Sequence, residues 1–395
     1  MLPAPWRESP KKENATLGLP DVFGAPTTAP YVARDEISNN TRMMRFHGRR
    51  AAAIENDRLR VTVLEGGGHI AEVLDKRTGV NPLWIPHWPS IEPAAYDPVS
   101  HREYGGGIDA SLLAGIMGHN LCLDIFGGPS PEEAAAGVPV HGEASTIRCD
   151  VRVNGTELAV RGVLPLANLE FEREIALVDL GSAQGGAVRI RENVHNLSAT
   201  DRPVGWTQHV TLGPPFLEPG RTQFRTSATR SKVFEHQFGP ADYLKAGAEF
   251  DWPLAPRANG GSADLRVFND GPNSSAYTAH LLNPREEHAF FVAFSPAAQL
   301  AFGYVWRRAD FAWLGIWEEI RSRPQAPWAG STVTRGMEFG VSPFPESRRE
   351  MIERNRMFDM PAFRWIPAAT RVAVEYWILV EPAAAIPETL RWPAQ

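Results

Sequence analysis

Cysteine is almost absent. Cys122 and Cys149 are the only two in 395 residues, so at most one disulfide can form and the fold is not disulfide-stapled. No stretch approaches the roughly 18 apolar residues of a membrane helix. The opening Met1-Leu-Pro-Ala-Pro-Trp-Arg7 also lacks the apolar core of a secretory signal. These absences predict no membrane partner and a cytoplasmic location. Net charge is −6 with no basic stripe, which argues against nucleic acid as a partner. His-Glu-x-x-His, Cys-x-x-Cys, Gly-x-Ser-x-Gly and the phosphate-binding loop are all missing. Glu65-Gly-Gly-Gly-His69 is no dinucleotide fingerprint, because no helix follows it. No internal repeat of roughly 20–50 residues is evident, which excludes solenoids and propellers.

What the chain does have is turns and aromatics: 34 glycines, 34 prolines and 12 tryptophans. Dense turns with many aromatic residues predict a β architecture with aromatic-lined clefts, most tryptophans belonging to the core. Residues 1–50 are polar and irregular and read as an N-terminal arm packing on a domain of residues 51–395. From Ala53 the chain alternates. A strand to Leu64, a glycine turn and a strand Ile70–Leu74 make a hairpin. Further strands are expected over 145–153, 157–164, 169–177, 187–196, 205–212, 275–282, 289–294, 300–306 and 372–379. Asn154-Gly155 is a two-residue hairpin turn. Helical signals are confined to 131–136 and 346–355. The expected fold is all-β, one large antiparallel β-sandwich with long loops and few short helices.

Three segments carry candidate chemistry. His141 lies in Val140-His-Gly-Glu143, after a turn at Gly137–Pro139, where the following glycine permits close approach of ligand or backbone. His209 lies in Gly205–Leu212, where alternation puts Gly205, Thr207, His209 and Thr211 on one face and Trp206, Gln208, Val210 and Leu212 on the other. Glu338 lies in Thr334–Val341, with Gly336 and Gly340 on its own face leaving room for a substrate. Each has a plainer reading: a loop histidine bonded to a carbonyl, a half-exposed strand histidine, a surface glutamate. Weaker candidates for substrate binding are His119, Asn120, Asp124, Glu143, Gln208 and Trp317, the first three as hydroxyl partners. Glu318 and Glu319 point to opposite faces, so at most one serves a given site. His119, His141, Glu143 and His209 are the one conceivable metal set, though nothing in their spacing requires a metal.

In this order and with these flanks, the three segments resemble the galactose mutarotase-like (aldose 1-epimerase) superfamily, over about Ala53 to Pro382. Val140-His-Gly-Glu143 resembles the element bearing its first histidine. Trp206–Leu217 resembles the segment bearing the second, with Val210 where proline is usual. Met337–Ser347 resembles the late strand bearing its glutamate. The resemblance implies a β-supersandwich acting on a small-molecule carbohydrate with no cofactor and no metal, and it leaves a homodimer open. It implies Glu338 as the base at the anomeric hydroxyl, His209 as the acid at the ring oxygen, and His141 as a hydroxyl-binding, charge-stabilising partner. The family's Asn-Arg pair before the first histidine is not evident. His119 stands in that region, which argues against a phosphorylated sugar needing a bidentate clamp. The family also uses an aspartate before the late strands, for which Asp264 and Asp270 are both candidates. A carbohydrate-binding protein without turnover is the alternative, and a lyase or hydrolase on the same scaffold is a third reading.

Overall fold

Strands that bury both faces need cover on both sides, and the middle of this chain supplies such strands. The computed structural model describes residues 44–181 and 185–393. A twelve-stranded antiparallel sheet has the strand Arg202–Leu212 near its centre, between His119–Asp124 and Val333–Gly340. Trp313–Ile320 and then Ser274–Leu282 continue it outward. An eight-stranded antiparallel sheet is centred on Leu300–Arg307, Arg371–Pro382, Gly186–Asn196 and Leu169–Val178. Side chains from the two sheets share one hydrophobic core, including Leu121, Val210 and Phe339 from the first and Phe171, Ile190 and Phe302 from the second. The outer face of the first sheet is covered by loops, with Trp84, Trp88, Leu112, Trp328 and Phe344 forming a second cluster against Cys122, Tyr277 and Trp317.

A buried polar knot lies between the sheets. The Glu192 carboxylate accepts bonds from Arg173 Nε (2.7 Å), Tyr376 Oη (2.7 Å), Gln208 Nε2 (2.6 Å) and Trp206 Nε1 (3.1 Å). Gln208 Oε1 in turn accepts from Arg173 and from His119 Nε2, at 3.3 and 2.9 Å, and the other ring nitrogen of His119 meets the Tyr304 hydroxyl. A carboxylate and guanidinium taken out of water are tolerable only when paired and bonded this fully.

Several expectations change in detail. Among the described residues Met44–Phe46 already pairs with Arg49–Glu55, so residues 44–50 belong to the sheet and not to an arm. Residues 1–43 of the expected arm lie outside the described residues. The strand expected over 145–153 is shortened to Asp150–Asn154, because Ser145 ends a 3-10 turn and bonds the Leu121 carbonyl at 2.7 Å. A one-turn helix at Ala110–Leu113 has no periodic signal in the sequence. The two expected helices form, at Pro131–Ala135 and Arg348–Arg354, each opened by a serine capping box. Both cysteines are free and buried.

Replacing Arg173 with leucine leaves the Glu192 carboxylate buried without its cation. The expected loss is about 3–5 kcal/mol of unfolding free energy, read from urea denaturation followed by tryptophan fluorescence.

Candidate active site

Strand register assembles the site. His209 is directly opposite Glu338 on one side and Asn120 on the other, and Glu338 is opposite Gly315 on the next strand. Directly opposed residues share a face, so all four lie on the side of the sheet away from the polar knot. His209 Nε2 is 3.1 Å from Glu338 Oε1, and His209 Nδ1 is 3.0 Å from the Thr211 hydroxyl. Two glycines make room for the carboxylate. A Cβ on Gly336 would strike Glu338 itself, and one on Gly315 would collide with the Tyr277 hydroxyl. Tyr277 therefore reaches across Gly315 toward Glu338, near enough to lower its pKa but outside good hydrogen-bond geometry.

His141 arrives from a loop with its backbone at φ +66°, a left-handed conformation costly for a side chain of this kind. Bonds on both sides hold it there: its N–H donates to Gly127 O, its carbonyl accepts from Leu123 N, and Nδ1 lies 2.6 Å from Phe126 O. The close approach permitted by Gly142 is to backbone, since a Cβ there would collide with the Leu123 carbonyl. Nδ1 must carry the proton to bond Phe126 O, which leaves Nε2 as an acceptor. The rings of His141 and His209 are 5.0 Å apart and edge-to-face, and the Cys122 sulfur is 3.1 Å from His141 Nδ1.

Burial dominates the electrostatics. It raises Glu338 to about 8, with the neighbouring Tyr277 hydroxyl pulling weakly the other way. Burial also lowers His141 to about 4, and pushes His209 well below the usual histidine value, with the neighbouring His141 adding to the shift. Near neutral pH the 3.1 Å contact is thus a neutral pair, with the Glu338 carboxyl donating to His209 Nε2 and Nδ1–H donating to Thr211. Thiol chemistry at Cys122 is disfavoured, because burial and then Glu338 raise its pKa well above the usual value.

His141, His209, Tyr277 and Glu338 form the polar floor of a cavity of about 200 Å³. Its walls are largely apolar and aromatic, with Leu113, Ile116, Phe238, Trp317 and Trp328 among them, and Asp109 and Arg323 supply its charged groups. No protein-family model and no curated protein matches the chain. Solved structures do match in shape. A proposed aldose 1-epimerase from Klebsiella pneumoniae is similar over 85% of this chain and 80% of its own, with TM-score 0.61 and 15% identity. A galactose mutarotase-like protein from Clostridium acetobutylicum is similar over 86% and 98%, with TM-score 0.53 and 13% identity. A galactose mutarotase related enzyme from Lactobacillus acidophilus is similar over 85% and 99%, with TM-score 0.51 and 12% identity. The fold is the galactose mutarotase-like β-sandwich.

On this galactose mutarotase-like scaffold, four of the expected residues line one cavity: His141, His209, Trp317 and Glu338. Asn120 lies in the same row, fully buried, its amide bonded to Ser145 and its carbonyl oxygen without a partner. The others are placed elsewhere. His119 and Gln208 point through the sheet into the polar knot, because each is one residue out of step with the cavity-facing set. His119 therefore does not stand in for an arginine at the cavity. Asp124 is spent on Arg202 and Arg348, and Glu143 accepts from the backbone of Leu166 and Ala167. Asp264 pairs with its exposed neighbour Arg266, and Asp270 packs beside Gly220, neither of them lining the cavity. The conceivable metal set is not brought together, and among the described residues no three His, Cys, Asp or Glu are placed to hold a metal ion. Sequence reasoning missed Asp109, Tyr277, Arg323 and Trp328. Tyr277 lay within an expected strand, but its place opposite Trp317 emerges only from the register. Arg323 had none, since it sits in the irregular turn after the strand Trp313–Ile320.

Two predictions follow from this geometry. Folded Glu338 keeps its proton up to about pH 8, whereas in the unfolded chain it ionises near ~4.3. Folding is therefore penalised increasingly as pH rises between those values and constantly above them. In thermal melts, Glu338→Gln should gain Tm relative to the native protein as pH rises from 5 to 8, and the gap should then level off. Gly315→Ala should push the Tyr277 hydroxyl away from Glu338. Its expected signature is a changed apparent pKa for Glu338, followed by carboxyl NMR, with the sheet still folded by circular dichroism.

Proposed function

We propose that this protein is an aldose 1-epimerase-like isomerase that interconverts the anomers of a sugar or sugar derivative by opening and reclosing its ring. The observation that carries the reading is the 3.1 Å contact between His209 Nε2 and Glu338 Oε1 at the floor of a cavity with room for one small ring. Ring opening needs one proton removed from the anomeric hydroxyl and one delivered to the ring oxygen as the bond between that oxygen and the anomeric carbon breaks. The exposed carbonyl then turns over, and the same two transfers in reverse close the ring on its other face. A pair holding one transferable proton is sufficient for each half of that cycle.

Burial favours the form with the proton on Glu338, in which the carboxyl is the donor and His209 the acceptor. Moving that proton across the contact yields the assignment expected from the resemblance, with Glu338 as base and His209 as acid. The proton inventory is the same in both. His141, held neutral with Nε2 free, is suited to accept a bond from a sugar hydroxyl and less suited to stabilise charge. The Trp317 indole offers a flat apolar face to a ring.

Tyr277 bears on the lyase reading, which a tyrosine opposite Glu338 would favour. It sits on the same sheet as Glu338, however, and burial raises its pKa well above the ordinary phenol value, which keeps it a hydroxyl. It is better suited to donate to a developing oxyanion than to abstract a proton.

The decisive test is NMR exchange between α and β anomers over a panel of aldoses and acidic sugars. Acceleration is expected, with Glu338→Gln reducing it by about 10²-fold or more. Ligand-induced shifts without any acceleration would replace the isomerase reading with that of a carbohydrate-binding protein.

A further inference from the structure

Among the described residues one cation, Arg323, lines the cavity, and its setting is built. Arg323 Nε is 3.2 Å from Oε2 of Glu319, whose carboxylate is fully buried and also accepts from Ser322 N and Ser322 Oγ, at 2.6 and 2.8 Å. The turn and the guanidinium are thus pinned by one group. Trp328 lies under the guanidinium at 4.9 Å, with Phe238 at 5.9 Å and Trp317 at 6.0 Å completing an aromatic collar. The two terminal nitrogens of Arg323 have no bond to any described residue, and the side chain retains 17% exposure. The His209 ring is likewise 6.0 Å from the Trp317 ring, on the floor of the same cavity. The acid–base histidine and the fixed guanidinium thus both lie about 6 Å from one indole.

We propose that the ligand of this cavity is a sugar acid, a uronate in its hemiacetal form, whose carboxylate is gripped at two points by the terminal nitrogens of Arg323 while its anomeric end reaches His209 and Glu338. This rests on the reading of the cavity as an anomer-exchange site. The planar fork of a guanidinium matches a carboxylate in geometry and number of donors. A phosphate fits less well. Arg323 is already partly neutralised by Glu319, Asp109 adds a carboxylate to the lining, and His141 and His209 are held neutral, so a dianion would meet one shared cation. The apolar walls offer little to a ring rich in hydroxyls, so the charged end is the feature left to distinguish one sugar from another.

Titrate the full-length protein with D-galacturonate, D-glucuronate, the parent D-galactose and D-glucose, and glucose 6-phosphate, following NMR shifts and heat at low salt. One uronate should bind about tenfold or more tightly than its parent aldose and more tightly than the phosphate. Arg323→Gln should remove that preference, weakening the uronate about tenfold more than its parent aldose. Arg323→Lys keeps the charge but loses the fork, and should recover only part of the preference; it also serves if the glutamine variant fails to fold. Equal affinity for uronate and aldose, tighter binding of the phosphate, or equal weakening of all sugars by Arg323→Gln overturns the proposal. Binding does not require turnover, so the two readings separate. Arg323-dependent uronate binding without anomer exchange would leave this inference standing and remove the isomerase reading, and absence of binding by every sugar in the panel would overturn this inference.

Discussion

The Glu192 carboxylate sets the register on which the rest of the molecule depends. It sits between the sheets with four donors from Arg173, Trp206, Gln208 and Tyr376. Two of these, Trp206 and Gln208, lie on the central strand of the larger sheet. Side chains on a strand alternate strictly, so holding Trp206 and Gln208 inward forces His209 outward. A slip of one residue would bury His209 in the knot and put Gln208 in the cavity. The knot contains no candidate catalytic group, yet it determines which face the candidate groups occupy.

Burial also decides what those groups are chemically. His209 and Glu338 in contact look like an ion pair, and in water they would be one. Here each is desolvated, and burial disfavours the charged form of each. The result is a hydrogen-bonded neutral pair with one mobile proton. Such a pair is poorly made for holding a charge and well made for passing a proton to and from a substrate that replaces the missing solvent.

Much of the architecture was legible because it rests on local pattern. Period-two alternation located most strands, Asn154-Gly155 formed its hairpin turn, and the faces assigned to His209 and Glu338 were correct. The two faces of a strand look alike in sequence, however, when both are buried. Gln208, on the opposite face from His209, was nonetheless counted with His119 among the binding candidates, and only the position of the second sheet distinguishes inside from outside. Asp124 and Glu143 were misleading in another way. Carboxylates near a site were read as binding groups, but their partners, Arg202, Arg348 and the backbone of Leu166 and Ala167, come from distant segments that no local rule brings together. Arg323 was missed because its position depends on a turn without periodicity.

The adjacent glutamates of Trp313–Ile320 show how one strand serves both demands. Glu318 turns toward Tyr243 and Arg335 and is used for structure. Glu319 turns to the other side, the side of Trp317, and fixes the turn that carries Arg323. The family's arginine before the first histidine is not evident in this sequence, and His119, which stands in that region, faces the knot. A cation nevertheless reaches the cavity from a different part of the chain, held by a buried carboxylate and collared by tryptophans. Arg323 sits in the turn after Trp313–Ile320, apart from the strands that carry His209 and Glu338, so under the proposed function the charged contact can change while the acid–base pair is retained.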